Sequence, residues 1–371
     1  MKINKERLRI WLTVGGMSIL IHYLMILLAQ LLNSGSLMGL GKMIMDRLTM
    51  PGDAERYLDI AKNGYVTAGE NAINLVFYPL YPLLIRIFSC LGGNMAVIAM
   101  IISQICFAAA SILFYELILL DGDKKTAFSG TLLLNLYPFS MFGMGVFTEG
   151  LFLLLTIGSM YAIRKRRFLA AGIIGFFAAL TRVQGMLLLI PAACEWITAT
   201  FGKKERKLKP QDSGLLLIPG GFGVYLGINY ALHGNAFKFL EFEAGEPWYQ
   251  TTHWIGRNIA QHYQLSFEFD GLSLTIYWVQ IALYFIFLGS LIYGLLKKEN
   301  IIYLLYGGAY LGFTYLSGWM ISGGRYLLCC FPVMIILSRI KEGIMKRLIF
   351  MFAGMLFFTY SLLYLMGFAI M

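Results

Sequence analysis

The sequence carries little charge for its length. Only 13% of its 371 residues are Asp, Glu, Lys or Arg, whereas soluble domains average about 25%. This shortage excludes a soluble globular protein. The 58% share of hydrophobic residues and the mean hydropathy of +0.70 indicate an integral membrane protein instead. The net charge of +10 then describes how charge divides between two membrane faces, and we expect no nucleic-acid partner.

Metal-ligating residue types are scarce as well. The chain has four histidines, with no HxxxH or HExxH pairing. Its five cysteines all lie inside apolar runs without metal-ligand spacing, which excludes a zinc site or a disulfide framework. We interpret them as small core residues: Cys90, Cys106, Cys194, Cys329 and Cys330.

Long apolar runs dominate what is present. The first run, at about 10–32, follows a basic N-terminus and exceeds the core of a signal peptide, so we expect an uncleaved helix. Most of the further runs are long enough to cross about 30 Å of hydrocarbon. They lie near 95–120, 127–146, 150–163, 214–232, 273–296, 301–320, 326–337 and 348–371.

Two segments need the distribution of charge to be interpreted. Basic residues flank 168–200 on both sides, at 164–167 and 203–209, so both ends should be cytoplasmic and the chain should turn back at Thr181-Arg182.

The segment 77–91 contains Pro79, Pro82 and Arg86. If it spanned, the later basic clusters would face outward, so we predict an interfacial helix on the outer surface. The result is one all-α polytopic domain over 1–371 with about eleven spans, the N-terminus inside and the C-terminus outside.

Two outer loops, 33–94 and 233–272, are long enough to be functional. In the first, PGDAERYLDIAKNGY predicts a short amphipathic helix with Asp53 as its N-cap. Asp53 either caps this helix and does nothing more, or it acts on a substrate at the membrane surface. In the second loop, Trp248, Tyr249 and Trp254 suit either stacking on acceptor sugars or an interfacial aromatic belt.

Three charged residues are predicted at the same outer level as Asp53. Glu149 begins a span, Arg182 lies at the turn of the short hairpin, and Arg325 follows Ser322-Gly323-Gly324. Such charges at a membrane edge indicate function, although a snorkelling arginine at a helix end is the common alternative. A carboxylate with guanidinium groups suits transfer of a sugar from a lipid phosphate, which needs a base on the acceptor hydroxyl and cations on the departing phosphate.

Other patterns point elsewhere. Asp121-Gly-Asp123 is a DxD, but it borders Lys124-Lys125 on the inner face, so we interpret it as a solvated turn. Asp53-Ala-Glu55 leaves a divalent cation open as a cofactor, although no third ligand is evident. A lipid or glycolipid transporter or flippase is the main alternative function, but such proteins place ionisable groups near the middle of the membrane.

Five motifs in order resemble the GT-C superfamily of glycosyltransferases and, within it, the PIG-V-like mannosyltransferases. GDAERYLDIAKNGY is similar to the family's WDxxxYxxIAxxGY, FYPLYPLL to FFPxxPL and FTEGLF to YSE-x-LF, while AALTRVQGMLLL and GGRYLLCCFP resemble its arginine-containing turn and its late RY…P stretch. One departure is Gly52, where the family usually has Trp, so the sugar stays open.

The resemblance implies a GT-C-like fold and transfer of a hexose, mannose by analogy, from a polyprenyl-phosphate donor with inversion. The acceptor would be a hydroxyl of a glycan, lipid or protein. Asp53 would be catalytic, and Arg182 and Arg325 would bind the donor phosphate. Four residues would support the pocket: Glu149, Tyr57, Tyr326 and Glu55. The expected location is a bacterial cell membrane, with the active site on the outer face.

Overall fold

The structure is a computed structural model that describes residues 5–49, 52–202, 209–269, 271, 273–318 and 320–370. It is 78% helical. Within the described ranges no strand forms, and the β-type pairing is a single isolated bridge between Thr252 and Ser317. The all-α polytopic fold expected from the apolar runs is confirmed.

The α-helices are named here in chain order. They are α1 Lys5–Ser34, α2 Leu40–Leu48, α3 Asp53–Asn63, α4 Leu80–Ser89, α5 Met95–Ile118, α6 Lys124–Asn135, α7 Glu149–Arg164, α8 Phe168–Ala179, α9 Leu189–Phe201, α10 Leu217–His233, α11 Lys238–Ala244, α12 Ile255–Glu268, α13 Val279–Leu296, α14 Ile301–Leu316, α15 Gly323–Leu327, α16 Pro332–Ser338 and α17 Ile344–Met366. Among the described residues, 3-10 helices lie at Glu70–Val76, Ser140–Gly143, Val183–Leu188, Pro210–Leu216 and Met320–Ser322, and a π-helix lies at Ser273–Trp278.

The number of full-length spans is lower than the eleven predicted. Six helical segments of the described chain are long and apolar enough to cross a membrane, and two bent pairs bring the total to at most eight. The difference arises where an apolar run does not stay helical. The run at 127–146, for example, was expected as one span, but α6 ends at Asn135 after 12 residues and the chain continues through turns and a 3-10 helix.

The helix break expected at Thr181-Arg182 is present. Helix α8 ends at Ala179, Arg182 has an extended backbone, and helical structure resumes at Val183. The two sides of this break are tightly packed, because a Cβ added at Gly185 would lie 2.3 Å from the backbone nitrogen of Ala179. Of the following basic cluster, Lys209 is described, while residues 203–208 lie outside the described residues.

The segment 77–91 forms a short helix, as expected. Helix α4 has ten residues, about 15 Å of length, which is half of a hydrocarbon core. It makes an angle of 112° with the preceding 3-10 helix Glu70–Val76. The predicted position on the outer surface stays a prediction.

Helix α8 packs closely against α10. A Cβ added at Gly221 of α10 would lie 2.0 Å from the carbonyl oxygen of Phe176 in α8. One added at Gly172 of α8 would lie 1.7 Å from the carbonyl oxygen of Gly214, in the 3-10 helix Pro210–Leu216 that precedes α10. Small residues of this kind let helix backbones approach one another in membranes. This contact fixes the end of α8 and therefore the position of Arg182.

Candidate active site

Helix α3 places Asp53 at the edge of a cavity. Its buried residues, Ala54, Tyr57, Ile60 and Ala61, recur at helical spacing, which agrees with the predicted amphipathic helix. The prediction that Asp53 is the N-cap is wrong: Gly52 occupies that position with φ +108°, and Asp53 is the first helical residue. A positive φ of this size suits glycine, and it frees the Asp53 carboxylate from capping the helix.

The structure brings the four charged residues singled out in the sequence into one network. Asp53 Oδ2 accepts a hydrogen bond of 2.5 Å from Arg325 Nη2. Glu149 Oε1 accepts hydrogen bonds from Arg325 Nε and, at 2.7 Å, from Arg182 Nη2. Asp53 and Glu149 are 96 positions apart along the chain, and Glu149 and Arg325 are 176 positions apart. The packing of helices that are distant in sequence therefore brings them together.

Burial in the network decreases from Glu149 toward Asp53. The Glu149 side chain is fully buried, those of Arg182 and Arg325 are 9% and 8% exposed, and that of Asp53 is 29% exposed. A buried carboxylate is tolerated when it is paired and hydrogen-bonded. Glu149 therefore orients the two arginines from inside, while Asp53 is the member that can meet a substrate.

Aromatic rings hold both guanidinium groups. The Arg325 guanidinium lies 4.8 Å from the ring centre of Phe147 and 5.5 Å from that of Tyr326. The Arg182 guanidinium lies 4.9 Å from Tyr326 and 5.8 Å from Phe152. Such cation–π contacts are strengthened by desolvation. Tyr326 thus contacts both arginines.

The two remaining sequence-predicted residues differ in placement. Tyr57 is buried, lines the cavity and packs edge-on against Phe77 and Tyr81 at 5.0 and 5.2 Å. Burial, with the Asp53 charge nearby, raises the pKa of the Tyr57 phenol above its ordinary value of 10, so the group is neutral at pH 7. Glu55 is exposed on α3 and does not line the cavity, because it lies two residues from Asp53 on another face of the helix.

The cavity has a volume of about 470 Å³, which suits one or two sugar rings with their phosphate. Asp53, Tyr57, Arg182, Arg325 and Tyr326 are among the residues that line it. A second group of lining residues was not predicted as a site from the sequence, apart from the stacking considered for Trp248. It comes from the segment 77–91, from α10, and from α11 and the chain that follows it: Tyr78, Phe222, Phe239, Glu243 and Trp248.

Two atoms of the network are left without hydrogen-bond partners among the described residues. They are Nη1 of Arg182 and Oε2 of Glu149. A buried donor without a partner costs free energy unless a ligand or water satisfies it. Arg182 lines the cavity, so Nη1 is an unpartnered donor on a side chain of the cavity lining.

The other acidic motifs lie away from the cavity. Asp121 forms two hydrogen bonds with Arg164, of 2.6 and 2.8 Å, and Asp123 caps α6 through Thr126 N. Both are structural roles, in line with the interpretation of the DxD as a turn. In the described part of the chain, no group of three or more His, Cys, Asp or Glu side chains is placed to hold a metal ion.

Comparison with known proteins gave one family match. The family model described as mannosyltransferase (PIG-V) matches residues 33–213, just under half of the 371 residues. The comparisons with curated proteins and with solved structures gave no match. The matched segment contains Asp53, Glu149 and Arg182, while Arg325 lies beyond it. The resemblance expected from the sequence motifs is thereby confirmed: residues 33–213 are similar to this mannosyltransferase family, which supports a membrane glycosyltransferase.

Proposed function

We propose that the protein transfers a hexose, mannose by its family, from a polyprenyl-phosphate donor to an acceptor hydroxyl on the non-cytoplasmic face of a bacterial cell membrane. The observation that carries this proposal is the network of Asp53, Arg325, Glu149 and Arg182 at the edge of one cavity. It combines one accessible carboxylate with two guanidinium groups, which are the groups that the transfer requires.

Asp53 is the general base. Arg325 donates a hydrogen bond to its Oδ2, so its Oδ1 is the oxygen that accepts the proton of the acceptor hydroxyl. The acceptor oxygen forms a bond to the anomeric carbon and its proton passes to Asp53. The bond from that carbon to the phosphate oxygen breaks, and the electron pair leaves with the phosphate. Attack from the side opposite the phosphate inverts the anomeric carbon, through an oxocarbenium-like state as in glycoside hydrolysis.

The arginines receive the departing phosphate. Arg182 offers the unpartnered Nη1, and a planar guanidinium matches two phosphate oxygens. The network carries two positive and two negative formal charges before the reaction. When Asp53 takes the acceptor proton it becomes neutral, and its hold on Arg325 Nη2 weakens. Arg325, which also contacts the phosphate of the bound donor, can then pair with it more strongly as phosphate charge develops.

The experiment is transfer of radiolabelled mannose from polyprenyl-phosphate mannose to a membrane extract by the purified protein. Asp53→Asn should lower the transfer rate by at least about a hundredfold, because general-base catalysis contributes on that scale. The matched control is Asp46→Asn, which changes an exposed carboxylate of the same outer loop and should keep the wild-type rate. Transfer by Asp53→Asn at the wild-type rate would contradict a catalytic role for Asp53.

The same experiment separates transfer from transport. An enzyme converts the donor to free polyprenyl phosphate and labels the extract, whereas a flippase moves intact donor between membrane leaflets and labels nothing. Glucose and galactose donors, tested in parallel, identify the sugar that the cavity accepts.

A further inference from the structure

We call one group of cavity-lining residues the aromatic wall. It consists of Tyr78, Phe222, Phe239, Glu243 and Trp248. Its polar groups take no part in the ion-pair network of Asp53, Glu149, Arg182 and Arg325. The transfer chemistry described above therefore leaves the role of this wall unexplained.

Hydrogen bonds from several segments fix the aromatic wall. The amide of Phe239 donates to Asn229 Oδ1 at 3.1 Å, which ties α11 to α10. The amide of Gln250 donates to the carbonyl of Glu243 at 2.8 Å and holds the chain after α11. Tyr78 stacks on Tyr225 with ring centres 4.0 Å apart. Contacts within the protein thus hold the residues of the aromatic wall in place.

Two polar residues of this wall, Tyr78 and Glu243, line the cavity together with its aromatic residues. Tyr78 is 8% exposed, and its hydroxyl has no hydrogen-bond partner among the residues that the structure describes. Burial raises the pKa of the Glu243 carboxyl to about 7. Polar groups held in apolar surroundings cost free energy unless a ligand satisfies them, so both groups are suited to meet a polar ligand.

The chemistry of the wall favours a neutral carbohydrate ring. A sugar presents apolar C–H faces to aromatic side chains and hydroxyls to a carboxyl and a phenol. Ligand pockets commonly combine an apolar and aromatic lining with a few polar groups that orient the ligand. An anionic group would be repelled by Glu243 when that carboxyl is ionised. Of the three residues considered for stacking on a sugar, Trp248 lines the cavity, whereas Tyr249 and Trp254 are 64% and 72% exposed and do not.

We propose that the aromatic wall is the acceptor subsite, where Glu243 and Tyr78 hydrogen-bond the hydroxyls of a carbohydrate ring that packs on Trp248. This inference rests on the proposed transferase function. It places the acceptor and the donor phosphate on different walls of one cavity, with Asp53 at its edge. The acceptor is then a sugar-bearing molecule, and neither a plain lipid alcohol nor a serine or threonine of a protein.

The first test separates acceptor use from donor use. Transfer is measured at saturating donor over a range of total membrane extract, and at saturating extract over a range of donor. For Glu243→Gln and Tyr78→Phe we expect the half-saturating extract concentration to rise at least tenfold, with the half-saturating donor concentration within twofold of wild type. The control Glu241→Gln changes an exposed carboxylate of the same helix, paired with Lys238, and should alter neither.

Two results of this test overturn the proposal. If both variants keep the wild-type extract dependence, the wall does not bind the acceptor. If only the donor dependence changes, the wall belongs to the donor. Tyr78→Phe removes one oxygen atom and retains the ring, so it reports on the subsite even where Glu243→Gln perturbs α11. Absence of any donor consumption by the wild-type protein would instead count against the proposed function.

The second test needs no turnover. Wild-type protein in lipid nanodiscs is titrated with methyl α-mannoside, methyl α-glucoside and methyl α-galactoside while tryptophan fluorescence is recorded. At least one glycoside should change the emission, the change should be lost in Trp248→Phe, and binding should weaken at least fivefold in Glu243→Gln. A change that survives in Trp248→Phe, or no change with any of the three, contradicts a carbohydrate subsite at this wall.

Discussion

Glu149 is the residue on which the geometry of the charged cluster depends. Its Oε1 atom accepts hydrogen bonds from both Arg182 and Arg325, and its side chain is fully buried. Removing one partner of a buried ion pair leaves an uncompensated charge, which costs roughly 3 to 5 kcal/mol. Here two guanidinium groups would lose their common partner, so the penalty should be at the upper end of that range.

We therefore expect Glu149→Gln to lower the thermal unfolding midpoint of the detergent-solubilised protein strongly and to abolish transfer. The matched comparison is Asp53→Asn, which removes a partly exposed carboxylate from the same network and should cost about 1 kcal/mol or less. Glu149→Gln protein as stable as wild type would show that the network does not hold the arginines.

Arg325 tests whether guanidinium shape matters beyond charge. It bonds Glu149 through Nε and Asp53 through Nη2 while lying over the Phe147 ring. A lysine keeps the charge but has no planar fork to serve two carboxylates and a phosphate at once. Loss of a charge-assisted hydrogen bond is worth about 1.5 to 3 kcal/mol.

Arg325→Lys should therefore raise the half-saturating concentration of polyprenyl-phosphate mannose by roughly ten- to a hundredfold, taking 1.4 kcal/mol per factor of ten. The control is Arg257→Lys, which changes an exposed arginine of α12 and should leave the donor dependence unchanged. A wild-type donor dependence in Arg325→Lys would argue against a phosphate contact at this residue.

At the residue scale, the sequence predicts the charged half of the site but not the aromatic half. Asp53, Glu149, Arg182 and Arg325 stand out because charge at the end of an apolar helix is costly and rare. Tyr78 and Glu243 give no such signal, since tyrosine is common at membrane interfaces and an acidic residue in a loop is ordinary. Their proximity depends on how the loops fold over the cavity, which spacing along the chain does not reveal.

At the element scale, the break between α8 and the following 3-10 helix positions Arg182. A Cβ at Gly185 would lie 2.3 Å from the nitrogen of Ala179 and 2.4 Å from the carbonyl carbon of Ala178. Both are backbone atoms of α8, so neither can move away by a rotamer change. Only glycine lets the two segments approach this closely.

Gly185→Ala should separate the two segments, displace Arg182 and lower the transfer rate by at least tenfold, with a loss of about 1 to 3 kcal/mol in unfolding free energy. The control is Gly223→Ala in α10, where an added Cβ meets nothing within 4 Å and alanine favours the helix. Equal transfer rates and midpoints for the two variants would contradict the tight packing at Gly185.

Helix existence was easier to predict from the sequence than helix length. The apolar runs correctly indicated helices such as α1, α5 and α13, but hydropathy does not show where a helix ends inside a run. Within 127–146, Pro138 lies in a turn after α6, Gly143 ends the 3-10 helix Ser140–Gly143, and Gly145 lies in a bend. Buried in protein, such irregular backbone is tolerated at membrane depth, and this explains why eleven spans were predicted where at most eight segments qualify.

At the scale of the whole molecule, two sets of charges lie far apart in the fold. One is the site network around Glu149, at the N-terminal end of α7. The other includes the ion pairs Arg164–Asp121 and Arg339–Glu299, and Arg164 is the last residue of α7. Helix α7 thus connects the end that we propose to be catalytic with an end rich in ion pairs. By the positive-inside rule we expect the second end to be cytoplasmic.

The side of the membrane on which the site lies depends on the segment 70–89. Between Asp53 and Lys124 the chain contains α5, a helix long enough to cross, and the bent pair formed by the 3-10 helix Glu70–Val76 and α4. If α5 alone crosses, positions 55 and 124 lie on opposite sides of the membrane. If the bent pair also crosses, they lie on the same side.

We expect opposite sides, because α4 covers only about 15 Å and the 112° bend directs the two halves of the pair along different axes. The measurement uses Glu55→Cys and Lys124→Cys, both at exposed positions, each in a background where the exposed Cys90 is replaced by serine. A membrane-impermeant maleimide added to intact cells should label Glu55→Cys at once and Lys124→Cys only after permeabilisation. Labelling of both from outside would mean that the bent pair crosses, and labelling of Lys124→Cys alone would place the active site on the cytoplasmic face.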